Sequence, residues 1–229
     1  MTDIKKLESS LGISFKNMAL LEQALVHRSY LNENPGFALG HNERLEFLGD
    51  AVIELIVTEY LYRTYPNPEG ELTNWRASLV NAKMLAEIAA SLSVSDYLYL
   101  SRGESKEVNT KARQYILANA FEAIIGAIYL DQDFAVTSEV VTRLVISRLP
   151  YILEHELHLD PKSRFQELAQ ERVGITPSYR VLSETGPDHA KIFTIGVFLS
   201  DELVASGAGA SKQEGEEAAA RAALKEKSW

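Results

Sequence analysis

Three acidic residues, Glu43, Glu46 and Asp50, lie close together in a stretch that has the apolar spacing of a helix. At about 100° per residue, their side chains fall within an arc of roughly 60° on one helix face. The remaining surface is mostly apolar, which predicts a helix packed into a core: Leu45, Phe47, Leu48, Val52, Ile53 and Leu55. Carboxylates clustered on such a helix need a compensating charge, and hard divalent cations with oxygen ligands are the natural candidates.

Glu122 is the second acidic element. It is the only charged residue between Ile116 and Leu130, in a segment that is apolar on nearly every helical face. A carboxylate buried there without a partner would be strongly unfavourable. We therefore expect Glu122 to point at a metal ion facing the acidic helix, with Asn119 three residues earlier on the same face. Oxygen ligands from two helices make a plausible Mg²⁺ site.

The stretch 42–51 reads Asn-Glu-Arg-Leu-Glu-Phe-Leu-Gly-Asp-Ala and resembles the signature of the ribonuclease III family almost letter for letter. The resemblance implies a Mg²⁺-dependent endonuclease that cuts double-stranded RNA to 5′-phosphate and 3′-hydroxyl ends. It implies a homodimer formed through the helical domain, and ribosomal RNA precursors and structured messenger RNAs as targets. It also implies that Asp50 and Glu122 are the residues most essential for catalysis, and that Glu43 and Glu69 are outer carboxylates that position substrate or metal.

The same resemblance implies that Glu46, Asn119 and Glu122 are metal ligands. Where the best-known members of the family carry aspartate, this chain has Asn119. The amide carbonyl still ligates Mg²⁺, but the site loses one negative charge. This departure predicts either a lower metal affinity or a preference for Mn²⁺. It also keeps open a second interpretation, a double-stranded RNA-binding regulator with an impaired nuclease site.

The composition restricts the class of protein and gives little support to a nucleic-acid partner. The chain has 229 residues, no cysteine and a net charge of −9, whereas nucleic-acid-binding proteins are usually basic. RNA binding must therefore rely on local basic patches. We find no apolar run long enough to span a bilayer and no signal peptide, so we expect a cytoplasmic protein without a membrane partner.

The helical pattern continues to about residue 150 and then changes. Helices are expected at 42–65, with Asn42 as the N-cap, and at 72–91, 112–130 and 134–149. A short helix at 163–173, strands at 178–183, 191–199 and 202–208, and a helix at 212–227 follow. This order predicts an all-α domain at 1–153, a linker at 154–160 and a small α-β-β-β-α domain of the α+β class at 161–229.

The second domain resembles a double-stranded RNA-binding domain, and the two resemblances together cover nearly the whole chain. Such domains recognise shape, 2′-hydroxyls and phosphates across successive grooves. The resemblance implies three groups of RNA-contacting residues: Ser163, Gln166, Glu167 and Gln170 on the first helix, Pro187 and His189 in a loop, and Ser211, Lys212 and Gln213 at the start of the last helix. The family usually has two or more basic residues where this chain reads Lys212-Gln213, so we expect weak phosphate neutralisation and a shallow salt dependence.

The acidic residues of the first domain also fit two readings without nuclease chemistry. Acids in a first helical turn are favoured by the helix dipole whatever the function, which applies to Glu43 and Glu46 taken singly. A helical dimetal redox protein would use Glu-x-x-His motifs, which are absent from this sequence, and it would leave the second domain unexplained.

Overall fold

The computed structural model describes residues 4–107, 110–187 and 191–229, and it separates into two compact units, one ending at His158 and the other beginning at Leu159. The first unit is helical and the second has the order α-β-β-β-α, so the predicted fold class is confirmed. In the described residues no helix combines the length and the apolar composition needed to cross a membrane.

The first unit is built from α-helices joined by short loops and 3₁₀ turns. The helices are α1 (Ile4–Leu11), α2 (Met18–Ala24), α3 (Arg28–Glu33), α4 (Glu43–Thr64), α5 (Glu69–Val80), α6 (Ala82–Ser91), α7 (Lys111–Asp131), α8 (Phe134–Leu144) and α9 (Leu149–Glu154), with 3₁₀ turns at Val94–Asp96, Glu104–Lys106 and Ile146–Arg148.

The packing of α4 against α7 organises the core of this unit. Helix α7 is the most buried, with an uninterrupted buried run over 123–128. Two glycines permit backbone contact between the helices: a Cβ at Gly49 would overlap the carbonyl oxygen of Glu122, and a Cβ at Gly126 would overlap that of Leu45. Close approach of two backbones is a position that only glycine tolerates. The acidic face of α4 is thereby brought against Glu122.

The C-terminal end of α7 is fixed by a second carboxylate, that of Asp131. It accepts hydrogen bonds from the backbone N–H groups of Lys16 (2.8 Å) and Asn17 (2.7 Å) and from Nε2 of Gln132 (2.6 Å). Asp131 is only 8% exposed, so burial opposes its ionisation, but these donors outweigh burial and lower its pKa. This carboxylate attaches the loop before α2 to the end of α7.

Two predicted elements and one predicted cap differ from the structure. The helix expected at 134–149 ends at Leu144 and is followed by a 3₁₀ turn at Ile146–Arg148. The single helix expected at 72–91 is two helices, because Asn81 is extended, with its Nδ2 donating to the carbonyls at the end of α5 and its Oδ1 accepting from Met84 N–H in α6. Asn42 precedes α4 but its side chain makes no cap hydrogen bond. Its Nδ2 instead donates to the carbonyl of Ala24 (3.2 Å).

The second unit is a three-stranded antiparallel sheet, in the order β1-β2-β3, covered on one face by two helices. Its elements are α10 (Pro161–Val173), β1 (Ser178–Thr185), β2 (Ile192–Leu199), β3 (Glu202–Gly209) and α11 (Lys212–Lys227). Phe165 and Ala169 of α10 pack with Val197 of β2 and Ala219 of α11 in its core. A Cβ at Gly207 would overlap the backbone of α11, so this glycine lets the helix lie directly on β3.

Candidate functional site

The predicted acidic cluster is assembled where α4 packs against α7. Glu122 is half-buried, and in the part of the chain that the structure describes its carboxylate accepts no hydrogen bond and forms no ion pair. Burial raises the pKa of Glu122 to about 8, with further contributions from the negative charges of Asp50 and then Glu46. The structure therefore brings the carboxylates of Glu122, Asp50 and Glu46 close enough to influence one another.

Glu46 and Asn119 also meet across the two helices. The amide of Asn119 hydrogen-bonds the Glu46 carboxylate, which favours its ionised form. The pKa of Glu46 is nevertheless raised, first by burial and then by the charge of Glu43, with Asp50 adding to the effect. The predicted metal ligands Glu46, Asn119 and Glu122 thus lie on facing sides of one cleft.

The residues of this cleft fit a divalent cation. Within 4–107, 110–187 and 191–229, no group of three or more His, Cys, Asp or Glu side chains has the geometry of a ready metal cage. The cleft instead offers carboxylate oxygens and one amide oxygen, the ligands that Mg²⁺ accepts. Burial and the two neighbouring carboxylates raise the pKa of Glu122, and a bound cation would stabilise its ionised form. Glu46, Asn119 and Glu122 are the residues that could hold such a cation.

Glu43 lies at the edge of the cleft, beside Arg28 and His41. Its carboxylate is 3.1 Å from Nη1 of Arg28 and 3.7 Å from Nδ1 of His41, and its side chain is partly exposed. No pattern in the sequence indicates the Arg28 contact, because Arg28 precedes Glu43 by fifteen residues in another element. The contact depends on how α3 is placed against α4.

Glu69 stands apart from these carboxylates. It begins α5, is exposed, and accepts a hydrogen bond from the Thr73 hydroxyl (2.9 Å). It lines a cavity of about 400 Å³ between α4 and α5, together with Thr58, Leu61, Tyr62, Asn67, Leu72, Thr73 and Arg76. In α4, Thr58 lies eight residues beyond Asp50, a rise of about 12 Å along the helix. Within one chain, Glu69 therefore lies away from the cleft formed by α4 and α7.

An apolar stripe on α4 is exposed, contrary to the expectation that Phe47 and Leu55 enter the core. Phe47 is 80% exposed, Leu55 is 56% exposed and Tyr62 is 79% exposed. Their spacing places them on one side of α4, next to the acidic face, whereas Leu45, Val52 and other residues fill the core. The sequence indicates this second apolar face, because α4 is apolar over more of its circumference than one buried face needs.

The described residues predicted to contact RNA are accessible in the second unit. On α10, Ser163, Gln166, Glu167 and Gln170 are exposed along one face, while Phe165 and Ala169 are buried on the other. Ser163 hydrogen-bonds Asp160, the N-cap of α10.

The remaining predicted RNA contacts lie after β1 and at the start of α11. Pro187 is exposed, and His189 lies outside the described residues. Ser211 caps α11 by accepting from Glu214 N–H, Lys212 extends near the ring of Phe193, and Gln213 donates to Glu217. The polar faces of this unit suit phosphate and hydroxyl contacts more than strong charge neutralisation.

Known protein families match both units. A ribonuclease-III-like model matches residues 17–149, and a model of the double-stranded RNA binding motif matches residues 161–227. Ribonuclease 3 of Dehalococcoides mccartyi is 43% identical over 227 residues, which cover 99% of this chain and 95% of that protein. Ribonuclease 3 of Carboxydothermus hydrogenoformans is 45% identical over 220 residues, 95% of this chain and 93% of the relative.

A solved structure resembles the helical unit. The nuclease domain of ribonuclease III from Campylobacter jejuni is 41% identical, with a TM-score of 0.56, and the match covers 65% of this chain and 99% of that one. That structure is described as showing flexibility in a region involved in dimer formation.

Proposed function

This chain belongs to the ribonuclease III family and is an endoribonuclease with a double-stranded RNA-binding domain, and on that basis we propose how its cleft works. The reaction is the divalent-metal-dependent hydrolysis of double-stranded RNA to 5′-phosphate and 3′-hydroxyl ends. The observation that carries the proposal is Glu122, a half-buried carboxylate that has no hydrogen-bond donor in the described residues and faces Asp50 and Glu46.

Four carboxylates and one amide have distinct roles in the proposed active site. Glu46, Asn119 and Glu122 hold a Mg²⁺ ion between α4 and α7. When bound, the cation lowers the pKa of a coordinated water and neutralises charge that develops on the leaving oxygen. Asp50 and Glu122 are the residues whose loss is expected to reduce cleavage most, and Glu43 positions substrate at the edge of the cleft. The amide of Asn119 lowers the affinity for Mg²⁺ or favours Mn²⁺.

A homodimer forms through the exposed stripe of α4. A two-fold contact places the same surface on both subunits, so a protruding group at one end must meet a recess at the other. Phe47 protrudes near the start of α4, and the cavity lined by Tyr62 and Leu72 lies near its end. Inserting each Phe47 into the cavity of the second copy would cover the stripe. Glu69, which lines that cavity, would then approach the acidic cleft of the other subunit.

The second unit brings duplex RNA to this dimer. We assign catalysis and dimerisation to residues 1–153, a linker to 154–160 and RNA binding to 161–229. The exposed face of α10 meets one minor groove, the loop at Pro187 meets the next one, and the start of α11 meets phosphates. The substrates are ribosomal RNA precursors and structured messenger RNAs, which place the enzyme in the cytoplasm.

Cleavage of an end-labelled RNA duplex tests the proposal. The wild type is expected to cut with Mg²⁺ or Mn²⁺ and not with EDTA, and Glu122→Gln should abolish cutting while RNA binding persists. Binding without cutting under either metal would reject the nuclease and support the other candidate, an RNA-binding regulator whose site is impaired by Asn119. A gain in cutting by Asn119→Asp would measure what the missing charge costs.

A further inference from the structure

Arg28 is a cation at the edge of an acidic cleft. It begins α3, and its Nη1 lies 3.1 Å from Oε1 of Glu43 at the start of α4. Among the described Lys and Arg side chains, it is the one with an ion pair to a carboxylate of the row formed by Glu43, Glu46, Asp50 and Glu122. The Arg28 side chain is 69% exposed, so most of the guanidinium is accessible to a second partner.

The backbone before Arg28 is attached to the start of α4. The N–H of Asn42 donates to the carbonyl of Val26 (2.9 Å), and Nδ2 of Asn42 donates to that of Ala24 (3.2 Å). The N–H of His27 in turn donates to the carbonyl of Tyr99 (3.1 Å). These bonds hold the origin of the Arg28 side chain in place next to the cleft. A cation placed on a rigid support loses little freedom when it binds an anion.

The ion pair with Glu43 contributes little to folding. Exposed pairs of this kind contribute little to stability, because water already solvates both charges. A guanidinium instead offers a planar fork of donors that matches a phosphate with two parallel hydrogen bonds. Glu43 therefore binds the Arg28 guanidinium only weakly, and an RNA phosphate could take its place.

We propose that Arg28 binds a backbone phosphate of the RNA beside the cleavage site and that Glu43 holds it ready in the free protein. The proposal rests on the proposed function, since it needs duplex RNA in the cleft. The cleft repels RNA through its carboxylates, and contacts with phosphates fix the register of a duplex on a protein without reading its sequence. Arg28 thus fixes which phosphodiester lies over Glu46, Asp50 and Glu122.

A matched arginine separates this role from a general effect of charge. Arg63 forms a similar pair with Glu59 (2.7 Å) and is 74% exposed. Glu59 is sixteen residues beyond Glu43 on α4, a rise of about 24 Å from the edge of the cleft. Arg63→Gln therefore removes the same charge and the same type of ion pair away from the phosphate proposed for its own subunit.

The test is the salt dependence of cleavage of a labelled RNA duplex with Mg²⁺. The logarithm of kcat/KM is plotted against the logarithm of KCl concentration for the wild type, Arg28→Gln, Arg28→Lys and Arg63→Gln. Loss of one phosphate contact should make the slope of Arg28→Gln shallower by about one, while Arg28→Lys and Arg63→Gln keep the wild-type slope. Mapped cut positions should also be less uniform for Arg28→Gln.

The outcomes distinguish this inference from the function on which it rests. A wild type that does not cut the duplex overturns both. A wild type that cuts, with equal slopes in Arg28→Gln and Arg63→Gln, overturns only the role of Arg28. The same conclusion follows if Arg28→Gln lowers kcat/KM equally at every salt concentration, because that result assigns Arg28 to positioning Glu43 alone.

Discussion

Helix α7 carries two carboxylates nine residues apart, Glu122 and Asp131, whose surroundings are opposite. Asp131 accepts hydrogen bonds from Lys16, Asn17 and Gln132, and these outweigh burial and lower its pKa. In the described residues Glu122 accepts none, and burial with the nearby charge of Asp50 raises its pKa to about 8. Asp131 is buried and Glu122 is half-buried, and of the two only Asp131 has donors for its charge among the described residues.

The difference separates a structural carboxylate from one that awaits a ligand. A buried charge is retained at low cost when donors surround it, as at the end of α7. A carboxylate that faces other carboxylates can be ionised only at a cost, unless a cation or a proton joins the group. We infer that Asp131 stabilises the fold, and we propose that the α4–α7 cleft is built to take a cation.

The largest loss of stability is expected from a substitution that forces α4 away from α7 at Glu122. Gly49→Ala places a methyl group into the backbone of α7, so the helices must move apart, at a cost of about 4 kcal/mol or more in the free energy of unfolding. Thermal unfolding measures the loss. Gly70→Ala is the control, since a Cβ there meets nothing within 4 Å. Equal stability of the two variants would contradict the close contact that assembles the cleft.

Removing the charge of Asp131 tests whether this carboxylate stabilises the fold. Asp131→Asn should lower the free energy of unfolding by about 2–3 kcal/mol at pH 7, because two backbone donors lose a charged acceptor. The folded-state pKa is lowered, so this contribution is present above the unfolded value of 3.8 and is lost as the pH falls through the folded value.

Denaturant unfolding at pH 7 and near pH 3 should therefore show the wild type and Asp131→Asn converging at the lower pH. Asp133→Asn makes the same change two residues later, at an exposed N-cap, and should cost about 1 kcal/mol or less. If both variants lose the same stability at pH 7, Asp131 has no special structural role.

Glu122 should behave in the opposite way in metal-free buffer. Glu122→Gln is expected to stabilise the protein by about 1–2 kcal/mol at pH 8, a value reduced for partial solvation, and by less at pH 5. The folded state keeps a proton up to about pH 8, whereas the unfolded chain releases it near 4.5, so wild-type stability falls as the pH rises through this window. Parallel pH profiles of wild type and variant would show that Glu122 is not strained.

The smallest effect concerns Asn119. Asn119→Asp adds a carboxylate beside Glu46 and should tighten Mg²⁺ binding about three- to tenfold, or roughly 1 kcal/mol. Isothermal titration of both proteins with Mg²⁺ and Mn²⁺ measures the change. Asn74→Asp, at an exposed position of α5, is the matched control. Weaker Mg²⁺ binding by Asn119→Asp would remove Asn119 from the metal ligands.

The sequence predicts the bounds and faces of a single helix better than it predicts the contacts between two elements. The acidic face of α4 and the unusual polarity of Glu122 follow from helical periodicity, and the helix predicted at 42–65 is observed at Glu43–Thr64. The two backbone donors of Asp131, Lys16 and Asn17, lie more than a hundred residues away along the chain, and the Arg28 pair depends on hydrogen bonds between Asn42 and the backbone before α3. Periodicity assigned Phe47 to the core, because it does not distinguish a buried apolar face of a helix from an exposed one.

The most direct test of the central claim is a Mg²⁺ titration followed by thermal unfolding of the wild type and of Glu122→Gln. A cation that binds only the folded cleft stabilises it by about 2.7 kcal/mol at a concentration one hundred times its dissociation constant. We predict that Mg²⁺ raises the melting temperature of the wild type by several degrees and leaves that of Glu122→Gln nearly unchanged. An equal rise in both proteins, or no rise in the wild type, would contradict the claim that the cleft at Glu122 is built to take a cation.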